Sequence, residues 1–360
     1  MRFVFPGLPV KNNADLMTQL NRGAERVAER LKTTDWSAVP VSDYNKRYLK
    51  KYTAKLTPTF QKYVYILALA LEKQNDLARC TLVDFGGGCG LLSCIAKAAG
   101  VGRVVYNDIF ETSVQDVRKL SEIWRIPIND FVCGDLDTVH QFLEREKINC
   151  DAFVSCDVLE HIYRHELFFK QAAELPSKAM SLVMSTHANP LNPAIRRSLQ
   201  ASQRRVELED RKAEWGHKDR DDLRSYRRIR AEMISAENAD LEKEMIYELA
   251  ERTRGMKAED IRATVKIFKT EGRMPPKPDH PTNTCDPGNG NWADRLLEPQ
   301  VYAQALKEAG FQTTVYSGFY GHPHPTGRRT IARLLDIGIR WLGHHQGVRL
   351  ASYFIVKGVK

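Results

Sequence analysis

The stretch Cys80-Thr81-Leu82-Val83-Asp84-Phe85-Gly86-Gly87-Gly88-Cys89-Gly90-Leu91-Leu92-Ser93-Cys94-Ile95-Ala96-Lys97-Ala98-Ala99 decides the fold. A short apolar strand, a glycine turn and an apolar-periodic helix follow one another without a gap. Glycines at alternate positions (Gly86, Gly88 and Gly90) permit positive φ and let a ligand lie against bare backbone. The helix that follows aims its unpaired N–H groups at the same ligand. The stretch therefore predicts the first unit of a doubly wound α/β sheet that holds a nucleotide-like cofactor.

The next segments narrow the cofactor. Gly102-Arg103-Val104-Val105-Tyr106-Asn107-Asp108 reads as a second strand ending in a carboxylate, placed to accept from both hydroxyls of a ribose, with Ile109 beside it. That geometry serves NAD and S-adenosylmethionine equally. The turn itself is Asp-x-Gly-x-Gly-x-Gly rather than the Gly-x-Gly-x-x-Gly of dinucleotide folds. A pyrophosphate uses the helix N-terminus for its negative charge, whereas a methionine tail carries an amino group that Asp84 suits better. Phe131-Val132-Cys133-Gly134-Asp135-Leu136 is a third strand whose terminal carboxylate can accept from an adenine amino group. Cys150-Asp151-Ala152-Phe153-Val154-Ser155-Cys156-Asp157-Val158-Leu159-Glu160-His161-Ile162 is a fourth strand passing into a helix.

The run Asp157-Val158-Leu159-Glu160-His161 closely resembles the Glu-Val-Leu-Glu-His element of class I S-adenosylmethionine-dependent methyltransferases, especially the ubiquinone-biosynthesis and small-molecule O-methyltransferase group. The resemblance covers residues 78–190 and the C-terminal strands. It implies a Rossmann-like seven-stranded sheet and S-adenosylmethionine as co-substrate. It also implies that Gly86, Gly88 and Gly90 form the cofactor turn and that Asp108 with Ile109 holds the ribose. Asp135 and Leu136 would hold the adenine, with Asp84 and Asp157 completing the cofactor set. A Rossmann dehydrogenase is the competing reading.

At 360 residues the chain exceeds one minimal core of this kind. Its four expected parts are an N-terminal helical cap (1–78), the cofactor core (79–190), a mainly helical insertion (191–297) and the C-terminal part of the core (298–360). The N-terminal run lacks the apolar stretch of a signal peptide, and no segment reaches membrane-spanning length. Six of the seven cysteines fall in or beside expected core strands and the glycine turn, so they read as reduced, packed thiols in a cytoplasmic protein. The net charge of +9 is uneven: residues 81–190 hold 10 basic against 15 acidic side chains, and residues 321–360 hold 7 against 1. An acidic core with basic attachments favours an anionic substrate or surface.

Residues 12–78 read as helices, with Tyr44, Tyr48 and Tyr52 on one face. Ser198 to Arg254 is densely charged with helical spacing, and a second helix runs from about Lys257 to Gly272. The turn-rich loop from Pro275 to Gly290 precedes Trp292 and Arg295, which argues that it docks. The insertion reads as a lid over the acceptor, with a dimerisation arm, and hence a homodimer, as the alternative. Near the C-terminus, Ile331, Leu334, Leu335, Trp341 and Leu342 form a stripe beside Arg329, Arg333 and Arg340. That stripe either packs on the protein or lies on a membrane surface as a peripheral contact.

Methyl transfer from a sulfonium is an in-line displacement, so catalysis is largely alignment and desolvation of the acceptor. An oxygen acceptor must also lose a proton, and His161 and His187 stand where a base can act. Asp157, Glu160 and His161 could hold one divalent ion, but Asp157 departs from metal-dependent relatives with Glu-x-x-Glu-His and no further ligand can be identified. Metal is therefore not favoured. The expected acceptor is a small molecule or glycan: a sugar, a sugar nucleotide or a lipid-linked polysaccharide. A quinone-type phenol is the alternative, as is a nucleic acid or protein met by the basic insertion. No nucleic-acid reader module is recognisable.

Overall fold

The computed structural model describes residues 3, 14–215, 222–238, 240–321 and 326–360. The glycine stretch becomes β1 (Thr81–Phe85), the turn and α4 (Leu91–Ala98). Among the described residues three α-helices precede it: α1 (Ala14–Thr33), α2 (Asp43–Ala54) and α3 (Leu56–Leu71). Alternation then continues through β2 (Arg103–Asp108), α5 (Glu111–Trp124), β3 (Asp130–Cys133), α6 (Leu136–Arg145), β4 (Ala152–Cys156), α7 (His165–Ala173) and β5 (Ser181–Thr186). The sheet has seven strands in the order β3-β2-β1-β4-β5-β7-β6, where β6 is Gln312–Ser317 and β7 is Phe354–Val359. The first five strands are parallel, and β7 inserts antiparallel between β5 and β6. Strand order reverses between β1 and β4, so a crevice opens at their carboxyl ends.

Two apolar layers sandwich this sheet. One joins α1, α3 and α4 to Leu82, Val104 and Val154; the other joins α6, α7 and α12 (Pro299–Glu308) to Val83, Phe153 and Met184. The apolar run from Tyr63 to Leu71 is buried along its whole length in α3. The N-terminal helices are thus divided in role: α1 and α3 form core, while α2 lies over the glycine turn. Ser42 and Asn45, at the start of α2, both donate to Asp116 of α5, and Asn45 Oδ1 accepts from the Cys89 thiol.

The charged stretch from Ser198 to Arg254 is broken rather than continuous, and its residues 216–221 and 239 lie outside the described residues. It forms α8 (Pro193–Leu208), α9 (Tyr226–Glu237) and α10 (Lys243–Arg252), followed by α11 (Ala258–Glu271) ending on Gly272 in the left-handed region. Ile234, Ile246, Leu249, Ile261 and Val265 give α9–α11 a small core of their own. The charge pattern had hidden this because the apolar positions are few and, before Gly255, Gly216 is the stretch's one glycine and it has no proline.

Candidate active site

The glycine turn is a cradle. Gly86, Gly88 and Gly90 all have positive φ, at 66°, 53° and 71°. A β-carbon at Gly86 would lie 2.6 Å from Val158, and one at Gly90 would lie 2.3 Å from Val117, so packing requires these two glycines. A β-carbon at Gly88 would meet nothing within 4 Å: its bare face opens onto the crevice. Asp108 closes the cradle, accepting from Gly88 N (3.0 Å) and from Phe110 N (2.8 Å). Ile109 beside it is 62% exposed, an apolar surface at the place the ribose and adenine would take.

The other residues expected to hold the cofactor sit around this edge in different ways. Asp84 is buried behind the turn, where Oδ2 accepts from both the Ser93 amide and hydroxyl. Burial pushes its carboxyl up to about 7 against those hydrogen bonds. Asp135 caps α6 through Thr138, and Leu136 is buried next to it. Asn107, unremarked in the sequence, is buried and ties the turn to β3 by donating to Val132 O and Gly134 O. Replacing Asp108 by Ala is expected to weaken S-adenosylhomocysteine binding by roughly 1.5–3 kcal/mol, as for a lost charge-assisted hydrogen bond. Titration calorimetry measures this, and unchanged affinity would remove Asp108 from the ribose site.

Four side chains meet beyond the ends of β4 and β5. Asp157 follows β4 in the left-handed region (φ 57°), a conformation that costs a non-glycine residue about 1–2 kcal/mol and accumulates at functional sites. Its two oxygens accept from Lys62 Nζ at 2.6 and 2.8 Å. His187 follows β5, with Nδ1 2.9 Å from Glu160 Oε1 and 3.6 Å from Asp157 Oδ1. Glu160 is fully buried; its contact with His187 is an ion pair poorly aligned for a hydrogen bond, and Oε2 has no donor among the described residues.

The insertion completes this cluster. Trp292 N donates to His161 O, Arg295 N donates to Glu160 O, and Trp292 Nε1 donates to Tyr163 O. Between them Asp294, with φ 51°, turns its carboxylate to within 3.7 Å of His161 Nε2 and 3.6 Å of His187 Nε2. A buried polar set holds the loop onto α8: Gln203 donates to Asn283 and Asp294 O, and Thr284 donates to Glu207, which pairs with Arg230. Trp292 stacks on Tyr163 and carries the Arg295 guanidinium over its ring, so these two residues fasten the loop and Asp294 is what it delivers.

Protonation follows from these contacts. Burial pushes His187 down, but Asp157 and Glu160 outweigh it and raise its pKa to about 10, so it is an imidazolium at neutral pH. Burial also opposes the ionised form of Asp157, and Lys62 with His187 overcomes it, holding the carboxyl well below the usual range. Lys62 stays charged for the matching reason, since Asp157 outweighs its burial. His161 Nδ1 lies 2.7 Å from the Trp292 carbonyl, which places a proton on Nδ1 and turns Nε2 toward Asp294. His161 and His187 are thus brought together, each with Nε2 facing the Asp294 carboxylate.

Two donor sets could each share a cation: Asp157, Glu160 and His187, and Glu160, His161 and Asp294. The residues fit a divalent ion, because Glu160 is a buried carboxylate lacking a donor at Oε2 and the Trp292 carbonyl on His161 Nδ1 already orients the imidazole as it would a ligating one. Asp294 and His187 supply the ligands that sequence spacing could not. Lys62 saturates Asp157, so the second set together with His187 is the freer one.

Residues 83–178 match the family model described as a methyltransferase domain. This segment is a methyltransferase domain. Its methyl donor is S-adenosylmethionine. The methyltransferase is similar to many solved structures, three of which follow. One is an S-adenosylmethionine-dependent methyltransferase from Mesorhizobium loti (14% identity, 79% of this chain and 93% of that chain, TM-score 0.40). The others are the CurJ carbon methyltransferase (12%, 96% and 66%, TM-score 0.40) and a methyltransferase from Agrobacterium tumefaciens (17%, 36% and 44%, TM-score 0.30). These superpositions are too loose to carry a substrate or a residue role to this chain. No curated protein matches the sequence.

Proposed function

We propose that this methyltransferase methylates an oxygen of a small molecule or glycan. The observation that carries the reading is the cluster of His161, His187, Glu160 and Asp294 beside the cofactor cradle. As the new C–O bond forms and the C–S bond of the sulfonium breaks, the acceptor hydroxyl must release a proton. His161 Nε2 is the lone pair available to take it, and Asp294 at 3.7 Å holds the resulting imidazolium. His187, already charged, donates toward the oxygen and stabilises negative charge developing there. The insertion covers this place and excludes water. Exposed Arg196, Arg197, Arg204 and Arg205 on α8, just past His187, support an anionic acceptor such as a sugar nucleotide or a lipid-linked glycan.

Methyl-tritiated S-adenosylmethionine incubated with fractionated cell extract tests the acceptor class. Label is expected in the small-molecule or glycan fraction; label confined to RNA or protein would overturn the proposal. A second reading is favoured by the unsatisfied Glu160 oxygen. Glu160, His161, His187 and Asp294 would hold a divalent cation, which would polarise the acceptor hydroxyl. Metal would displace the His187 proton, so its binding should tighten as pH rises, read as metal-dependent thermal stabilisation at two pH values. No stabilisation by magnesium, manganese or zinc at either pH would dismiss it.

A further inference from the structure

Helix α13 (Thr326–Gly347) is bound on one face and bare on the other. Ala332, Asp336 and Ile339 are buried, and Leu335 is half-buried, at helical spacing against the protein. The opposite face exposes Ile331 (60%), Leu334 (64%), Ile337 (56%) and Trp341 (85%), with Leu342 at its end. At 100° per residue these five span an arc of about 140°. The sequence alternative of packing this stripe on the protein therefore holds for Leu335 and not for the rest, which point outward. Past Leu342 the helix is broken at Gly343, whose φ and ψ are 69° and 174°.

The charges around the stripe have one sign. Arg329, Arg333 and Arg340 lie together along its rim and are exposed. The sole acid between residues 321 and 360 is Asp336, which is buried and accepts from Tyr320 N. Among the described residues no helix is long and apolar enough to cross a membrane, so such a face lies on a bilayer rather than in it. Tryptophan and aliphatic side chains flanked by arginines are the composition of an interfacial helix. Anionic headgroups complement such a uniform positive rim.

The position of α13 adds a second argument. It joins the end of β6 to the start of β7, and both Ser317 and Thr186 pair with Phe354. That is the carboxyl edge of β5, which His187 follows. Asn192, at the start of α8, donates to the carbonyls of Leu350 and Ala351 just before β7, so the helix, the insertion and the site share one edge.

We infer that α13 docks the enzyme onto an anionic lipid surface through Ile331, Leu334, Ile337 and Trp341 with Arg329, Arg333 and Arg340, and that the acceptor is presented there. The second clause rests on the acceptor reading above; the docking does not. Co-sedimentation with phosphatidylcholine vesicles, with and without one-third phosphatidylglycerol, tests the docking using the full chain. Binding to the anionic vesicles is expected to be at least about tenfold tighter than to the neutral ones, and to weaken with salt. The double variant Leu334→Glu, Trp341→Glu should lose vesicle binding while keeping its S-adenosylhomocysteine affinity, which also shows that it folds. Absence of binding to anionic vesicles at low salt, or binding unchanged in the double variant, would overturn the inference. So would a dimer in sedimentation velocity that the double variant abolishes without any vesicle binding, since the face would then belong to a second copy. A failure of the acceptor reading would appear instead as label in RNA or protein with vesicle binding intact.

Discussion

Gly88→Val is expected to abolish binding of S-adenosylmethionine and S-adenosylhomocysteine in a protein that remains folded. The β-carbon it introduces meets no protein atom within 4 Å, so the branched side chain fills the crevice rather than the core. Its backbone conformation, with φ near 53°, costs an L-residue about 1–2 kcal/mol, small against the ~5–15 kcal/mol that stabilises a domain. The same change at Gly86 or Gly90 would drive the side chain into Val158 or Val117 and confound folding with binding. Calorimetry should show at least about a hundredfold loss of affinity with a near-native circular dichroism spectrum. Normal binding would mean that the cofactor lies elsewhere.

His187→Ala is expected to lower methyl transfer by about 10²–10³-fold while S-adenosylhomocysteine affinity changes little. The variant leaves Glu160 buried with neither its cation nor a hydrogen-bond donor at Oε2. A stability signature follows from the same contacts. The folded pKa of His187 is raised to about 10 from an unfolded value near 6.5. Its contribution is therefore fully present below about pH 6.5 and is lost as pH rises through about 10. The melting temperature of the wild type should exceed that of His187→Ala most at pH 6, and the two should converge above pH 10. The imidazole keeps 42% of its surface exposed, so solvent screening reduces the size of the gap but not its direction. A gap that widens with pH would show that His187 is neutral.

Much of the cofactor face was legible because each part of it is local. A strand, a glycine turn and a helix are adjacent in sequence, and Asp108, Asp135 and Asp157 each end or follow a strand that apolar runs reveal. The acceptor face was legible only in halves. His161 and His187 follow predicted strands, but Lys62 stands at the edge of an apolar helical run that gives no hint of a buried ammonium. Only the fold brings it to Asp157, across the chain from residue 62 to residue 157. Asp294 was hidden for a related reason. Its loop advertises Trp292 and Arg295, whereas the left-handed backbone at Asp294 that aims the carboxylate has no sequence signal apart from the fold. The insertion shows the opposite failure: its charge density suggested one long helix, and sparse apolar residues such as Ile234 and Leu249 close it into short packed ones.

The central claim is that the cradle around Gly88 and Asp108 holds S-adenosylmethionine and no dinucleotide. Titration calorimetry of the full chain with S-adenosylhomocysteine, and separately with NAD, tests it most directly. One S-adenosylhomocysteine should bind per chain, with no heat from NAD. Tight NAD binding, or no heat from the sulfur ligand, would contradict the account.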